Sequence, residues 1–484
     1  MRQTIAIIIF LVFACLGKVS AQEKWDLKTC VTYAMSHNIA VKQSILQAKT
    51  TVITYKQSQL SQIPAFNLGA NGAYNTGSNQ DPTTFTRVTQ NYLSAGVQLQ
   101  SSADIFNFFS KRNTIAANEW EMMASKATVN KIANDVALST ANAYLQVLLA
   151  KEQQNIAAVQ VQQTTVQLST TRKMVDAGAL PELNATQLEA QLAADSSNYI
   201  TAKGNATQAL LSLKTLMNID ADNALEIETP PVETIPIQTI ADLQPGFVYE
   251  QAVINQPQQQ SNEYKLKAAK KSLSAAKANR YPTIAAFGNI ASNYLSFQKM
   301  PIYNKVLSGY ASTGLLADAG AGLFYDVQTP VYTNGEIIGY ISPATFGSQL
   351  SDNLRKSVGL SLSIPLFNGG NAHAAYERSK INLQSVQLQK DQDNQKLKQD
   401  IYQAYDAAVI AQEKFNASKK MVNANDKAYD FATKRFAIGA LSTFDLITTQ
   451  NNLLRAKLEY SINQFDYVFK MKVLEFYKGL GLSL

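Results

Sequence analysis

The residues with the clearest chemical meaning in this chain fall in two copies of one short pattern. Arg435-Phe436-Ala437-Ile438-Gly439-Ala440-Leu441-Ser442 runs on to Asp445, and a weaker copy from Met174 to Asn184 contains Gly178-Ala179-Leu180-Pro181. These types suit a chain reversal that meets a partner, not catalysis. Glycine takes a positive φ without strain and lets another backbone come close. Ser442 is a good N-cap, which puts Asp445 in the first turn of a following helix, at its positive end. Pro181 reads as a first-turn proline.

Catalytic candidates are few. His37 and His373 sit in separate halves, and the cysteines are Cys15 and Cys30. No G-x-x-x-x-G-K-[ST], complete G-x-G-x-x-G or G-x-S-x-G occurs. No catalytic, cofactor-binding or metal site is therefore assigned, and the chain is not read as an enzyme. Charged residues make up 16% of the 484 and hydrophobic ones 46%, which excludes a disordered chain. No dense Lys/Arg patch with interleaved aromatics is present, so nucleic acid is not an expected partner.

The elements that must position the two patterns begin after a sorting signal. Residues 1–21 read as a signal peptide: Arg2, the apolar run Ile5–Leu16, then Val19-Ser20-Ala21 before Gln22. Lipidation at Cys15 is disfavoured by Phe13, where a small residue is needed. Removing Arg2 and Lys18 from 43 bases, against 36 acids, leaves a net charge of +5 and one cysteine, Cys30. No later run of 18 apolar residues follows, so an exported chain is secreted, periplasmic or an outer-membrane β-barrel.

The rest reads as an internal duplication. Ala34 and Pro64 recur as Ala252 and Pro282, both 218 residues on, while Phe106-Asn107 and Gly178-Ala179-Leu180 recur as Phe367-Asn368 and Gly439-Ala440-Leu441, both 261 residues on. The 43-residue difference marks an insertion between Pro282 and Phe367, near 300–350, carrying Tyr303, Tyr310, Phe324, Tyr325, Tyr332, Tyr340 and Phe346. Strand extension or an outward loop with membrane-surface aromatics is expected there. The expected organisation is a first repeat over 22–224, a linker over 225–245 stiffened by Pro230, Pro231, Pro236 and Pro245, and a second repeat over 246–484. Each repeat is a short helix, two strands of about 10 residues with one apolar and one small polar face, a long helix, a turn and a returning helix. Alternation is clear at Phe66, Leu68, Ala70 and Tyr74, at Leu93, Ala95, Val97 and Leu99, and at Val358, Leu360, Leu362 and Ile364. It blurs after Pro282, where Ile284 and Phe287 fall on opposite faces. Lys111–Val175 and Ala372–Phe436 lack Pro and Gly; helices of that length reach roughly 98 Å at ~1.5 Å per residue and need neighbours throughout. Four strands cannot close a membrane barrel, whose smallest form has about 8, so several chains must share one. An exported helical scaffold or lipoprotein without a pore is the alternative.

On these features the chain resembles the TolC-type outer-membrane efflux protein family. The Arg435–Leu446 motif with Gln450-Asn451-Asn452-Leu453 matches that family's tip pattern, and Ile364-Pro365-Leu366-Phe367-Asn368-Gly369-Gly370 its strand-to-helix signature. The resemblance covers nearly all of 23–480. It implies a mixed α+β membrane protein: a homotrimer whose long helices form a periplasmic α-barrel, with four antiparallel strands per chain in a shared 12-stranded barrel in outer-membrane lipid. It implies a periplasmic adaptor (membrane fusion) protein docking at Gly178, Ala179, Leu180, Gly439, Ala440, Leu441 and Ser442. Behind the adaptor stands an inner-membrane pump of the RND, ABC or MFS class, exporting drugs, metals or proteins, including by type I secretion. The resemblance also implies a tunnel-mouth constriction at Asp445, Asn184 and Phe436, where three copies of Asp445 would form a carboxylate ring that attracts cations. Some members close through Tyr and Arg to Asp. Phe436, Leu441 and Asn184 stand at those positions, so that polar latch is not expected, and Thr448 replaces a second aspartate.

Overall fold

A computed structural model describes residues 24–80, 87–228, 237–296, 300–342 and 344–479. The expected signal peptide, and Pro230, Pro231 and Pro236 of the expected linker, lie outside these residues. In chain order the elements are α1 (Leu27–His37), α2 (Ile39–Leu60), β1 (Ala65–Gln80), β2 (Arg87–Phe106), α3 (Ser110–Asp176), α4 (Glu182–Met217), a 3-10 turn (Ile240–Leu243), α5 (Pro245–Asn255), α6 (Pro257–Ala278), β3 (Thr283–Leu295), β4 (Met300–Asp318), β5 (Phe324–Ile341), α7 (Phe346–Asp352), β6 (Arg355–Ser363), α8 (Asn371–Ala437) and α9 (Thr443–Lys478). Among the described residues no helix is long and apolar enough to cross a membrane.

The helices of the two halves match in length. α1 and α5 have 11 residues, α2 and α6 have 22, α3 and α8 have 67, and α4 and α9 have 36. At ~1.5 Å per residue α3 and α8 each run about 100 Å. Pro245 is the first residue of α5, where a missing N–H is harmless; it starts a helix and does not extend the linker.

The described residues divide into a helical unit, within 24–56, 113–273 and 376–479, and a strand-rich unit, within 57–112 and 274–375. In the helical unit each short helix covers one pair of long ones. Leu27, Cys30 and Ala34 of α1 pack with Ala137, Tyr144 and Leu148 of α3 and with Leu213 and Met217 of α4. Val248 and Ala252 of α5 pack with Ile401 and Ala408 of α8 and with Met471 and Leu474 of α9. Trp25 bridges to Ile227 as a short parallel pair, and the buried Tyr144 hydroxyl donates to the Glu228 carbonyl at 2.6 Å, which ties the linker to α3.

Cys30 is fully buried in this core. Burial, and then the charge of Asp26, pushes its thiol up to about 12. Because the thiolate is the reactive form, Cys30 should stay unmodified by iodoacetamide at pH 8 in the folded protein and react once guanidinium unfolds it. Labelling under native conditions would mean that the α1–α3 core opens.

In the strand-rich unit the order is β1-β2-β3-β6 and every pairing is antiparallel. Register sorts the faces. Leu68 pairs with Leu99, Leu99 with Ile290, and Ala286 with Leu360, so one face is apolar. It is bare: Val358 is 89% exposed and Leu68 74%. The other face carries Asn71, Gly96, Ser357 and Ser361. Phe287 belongs to this polar face, opposite Gly359, and its ring lies where a Gly359 side chain would begin, 2.7 Å from the ideal Cβ position. A cross-strand glycine covered by an aromatic ring explains why the alternation blurs after Pro282.

The strands depart from the expected length of about 10 residues. β1 has 16 and β2 has 20, whereas β6 has 9. The 300–350 insertion adds a separate antiparallel hairpin, with β4 of 19 residues and β5 of 18, followed by α7. Among the described residues the four strands expected form one sheet and the insertion adds two more, because its aromatic and β-branched residues pair with each other. α7 covers the part of β3 beyond β6. The Gln349 side-chain amide pairs with both backbone groups of Leu295 at 3.0 Å, as a strand residue would, and Asn353 Nδ2 donates to the Asn293 carbonyl at 2.8 Å. This protects an otherwise open sheet edge.

The turns from strand into long helix need two successive left-handed residues. Gly369 and Gly370 supply them before α8, with φ of 65° and 79°, while before α3 the same conformation is held by Phe108 and Phe109, at 47° and 63°. A non-glycine residue is strained there by roughly 1–2 kcal/mol. Stacking of Phe108 on Tyr281, with centroids 4.8 Å apart, and a tilted contact of Phe106 with Phe108 at 4.9 Å offset that strain.

Candidate functional site

The turns joining α3 to α4 and α8 to α9 are built alike. Gly178 and Gly439 both have φ +73°. The Gly178 N–H donates to the Val175 carbonyl and the Ala179 N–H to the Met174 carbonyl, both at 2.8 Å; the Gly439 N–H donates to Phe436 and the Ala440 N–H to Arg435, both at 2.9 Å. This is the Schellman arrangement, which satisfies the last carbonyls of a helix and requires a left-handed residue after it. Among the described residues a Cβ at either glycine would meet nothing within 4 Å, so conformation, not space, selects glycine there.

The returning helices start differently. Ser442 is the N-cap of α9: its Oγ accepts the Asp445 N–H at 3.1 Å, and its hydroxyl donates to Asp445 Oδ2 at 2.7 Å. Asp445 is exposed in the first turn. Pro181 is the N-cap of α4, with φ −65° and ψ 149°, and Glu182 is the first helical residue. Its extended ψ places the proline one residue before the first turn expected for it. The first turn is clasped by Arg172, which pairs with Glu182 at 3.1 Å and also with Glu189. In the second, the Arg435 guanidinium donates to the Ala440 carbonyl at 3.3 Å.

Apolar side chains stand bare around both turns: Ile438 is 79% exposed, Phe444 67% and Leu183 63%. Leu180, Leu441, Asn184 and Phe436 are half-buried, and Ala179 and Ala440 are exposed. Gly178, Ala179, Leu180 and Asn184 therefore share the first turn, and Phe436, Gly439, Ala440, Leu441, Ser442 and Asp445 the second. Among the described residues no hydrogen bond or ion pair joins Asn184 to Phe436 or Leu441. The Thr448 hydroxyl donates to the Phe444 carbonyl at 2.8 Å, within its own helix.

One buried polar cluster lies above the turns; Gln450 and Asn451 belong to the tip motif, whereas Thr164, Gln191 and Asp195 were not singled out. Thr164 Oγ1 donates to Asp195 Oδ2 at 2.6 Å, Gln191 Nε2 donates to Asp195 Oδ1 at 2.8 Å, and Gln450 Nε2 donates to Thr164 Oγ1 at 3.2 Å. Asn451 Nδ2 donates to Gln191 Oε1 at 3.4 Å. The cluster links α3 and α4 to α9. Its sequence signal is a run of polar residues at seam spacing, Gln160, Thr164, Gln167 and Thr171, where a helix pair normally places apolar side chains.

Comparison with known proteins bears on both units. The family described as outer membrane efflux protein matches residues 33–218 and 248–468. The outer membrane efflux protein BepC of Brucella suis is 22% identical over 402 residues, 82% of this chain and 74% of that protein. Among solved structures, CusC superposes with a TM-score of 0.73 at 15% identity, covering 95% of each chain. The outer-membrane channel OprN gives 0.71 at 17% identity, covering 94% of this chain and 90% of that one. VceC of Vibrio cholerae gives 0.70 at 15% identity, covering 94% and 97%.

Proposed function

This chain belongs to the outer membrane efflux protein family and is an outer-membrane protein with its helical part in the periplasm; from that premise we propose that three copies form one channel-tunnel of a tripartite export system. The observation that carries this reading is the sheet β1-β2-β3-β6, which has a bare apolar face and, among the described residues, no partner on the outer edges of β1 and β6. An open edge and an apolar face both demand cover. Three such sheets joined edge to edge give 12 strands, within the range of membrane barrels, with the apolar face toward lipid and the Asn, Gln, Ser and Gly face toward water. The matching helix lengths of the two halves support an internal duplication, in which α3, α4, α8 and α9 of three chains wall the periplasmic tunnel.

The twin turns are the adaptor-docking tips. Gly178, Ala179, Leu180, Gly439, Ala440, Leu441 and Ser442 offer exposed backbone ringed by bare apolar side chains. The adaptor in turn seats an inner-membrane pump of the RND, ABC or MFS class, which supplies the energy. The protein conducts cargo passively and catalyses nothing. At the mouth, Phe436 and Asn184 narrow the passage by packing, and three copies of Asp445 form a carboxylate ring.

The test is single-channel conductance of the purified protein, with its oligomeric mass measured in the same detergent. A trimer with discrete conductance steps is expected. A monomer without conductance would overturn the channel and favour a pore-less scaffold. In the same recordings Asp445→Asn, which keeps the side chain's shape, should lose most of the cation preference and the block by divalent cations. Unchanged preference would leave Asp445 as a helix cap only.

A further inference from the structure

A groove of about 370 Å³ runs between α3, α4 and α9 in the helical unit, beside the buried polar cluster. Part of its lining is polar. Asp195 is 2% exposed and, among the described residues, makes no ion pair; its carboxylate is held only by the neutral donors Thr164 and Gln191. Two accepted hydrogen bonds leave further lone pairs on its oxygens. Gln160, 5% exposed, also lines the groove, and among the described residues its Nε2 has no hydrogen-bond partner. The wall contributed by α9 is apolar: Leu454, Leu458 and Ile462 recur every four residues, a strip about 12 Å long at ~1.5 Å per residue. Asn198, three residues beyond Asp195 on α4, lines the groove as well.

We infer that this groove binds an organic monocation with an apolar body, its charge facing Asp195 and its body against Leu454, Leu458 and Ile462. A buried carboxylate without a cation is costly unless one is supplied, and among the described residues the donors to Asp195 are neutral. The volume lies in the range of small-molecule sites, about 300–1,000 Å³, and suits a ligand of drug-like size. A free metal ion would leave the apolar wall unused, and a neutral apolar molecule would leave the carboxylate unpaired. The inference goes beyond the export reading, and a failure here would leave that reading intact, because binding is read on the purified protein and not through transport.

Tetraphenylphosphonium and tetraphenylborate, near-identical in shape and opposite in charge, are the probes, measured by equilibrium dialysis against the full chain in nanodiscs. Tetraphenylphosphonium should bind once per chain and tetraphenylborate at least tenfold more weakly. Asp195→Asn should weaken tetraphenylphosphonium binding tenfold or more, and Asn198→Asp, which adds a second carboxylate to the same wall, should strengthen it. The second variant keeps the test open if the first fails to fold. Equal binding of the two probes, or tetraphenylphosphonium affinity unchanged in a folded Asp195→Asn or Asn198→Asp protein, overturns the assignment.

Discussion

Gly439→Asn should fold normally yet lose export by tenfold or more, whereas Gly439→Val should lose both export and part of its stability. Two demands on one glycine separate here. The φ of +73° at Gly439 is strained for a β-branched residue by roughly 1–2 kcal/mol or more. Asparagine is among the few side-chain-bearing residues that enter this region readily. Among the described residues nothing lies within 4 Å of the position a Cβ would take, so an asparagine side chain projects outward and obstructs only what docks there. The measurement is efflux-strain complementation by the full chain with its own adaptor and pump, beside thermal melting of the purified protein. If Gly439→Asn exports at the wild-type rate, the glycine serves the Schellman turn alone and the docking role of that residue fails. Gly178→Asn should behave alike, since Gly178 shares the φ and the empty surroundings.

Lys472→Met should destabilise the helical unit by about 3–5 kcal/mol, the cost typical of orphaning one member of a buried pair. Lys472 and Glu475 are each 6% exposed and lie 3.0 Å apart. The other Glu475 oxygen accepts the Gln238 N–H at 2.7 Å, and the Gln238 side chain accepts from Lys478 at 3.0 Å. One carboxylate therefore fastens the linker to α9, and removing the cation leaves it buried. The double variant Lys472→Met/Glu475→Leu should recover most of the loss, because replacing both partners with apolar groups is often neutral. Guanidinium unfolding followed by helical circular dichroism distinguishes the two. Equal destabilisation of the single and double variants would show that the linker contact, not the orphaned charge, carries the effect.

How far the sequence alone reaches depends on the range of the interaction. Helix extents were legible to within one residue: Lys111–Val175 and Ala372–Phe436, the stretches free of Pro and Gly, became Ser110–Asp176 and Asn371–Ala437. Backbone propensity and capping are local, so the residue string carries them. The glycine turns and the Ser442 cap were legible for the same reason. Pairing is not local. Phe287 reads as an error in alternation until Gly359, 72 residues away, is placed opposite it. The insertion reads as an aromatic-rich segment until β4 and β5 pair with each other and Gln349 takes a strand's place beside Leu295.

The polar seam shows the same division. Thr164 and Asp195 are ordinary helix residues in the string and Gln450 is one residue of a motif, and only packing α9 against α3 and α4 makes them one buried cluster beside a groove. The sequence by itself determined which residues turn, cap and span, because those choices rest on each residue's own φ, side-chain reach and near neighbours. Tertiary structure alone decided which polar groups leave water together and which apolar face stays bare, because burial belongs to surfaces assembled from residues far apart in the chain.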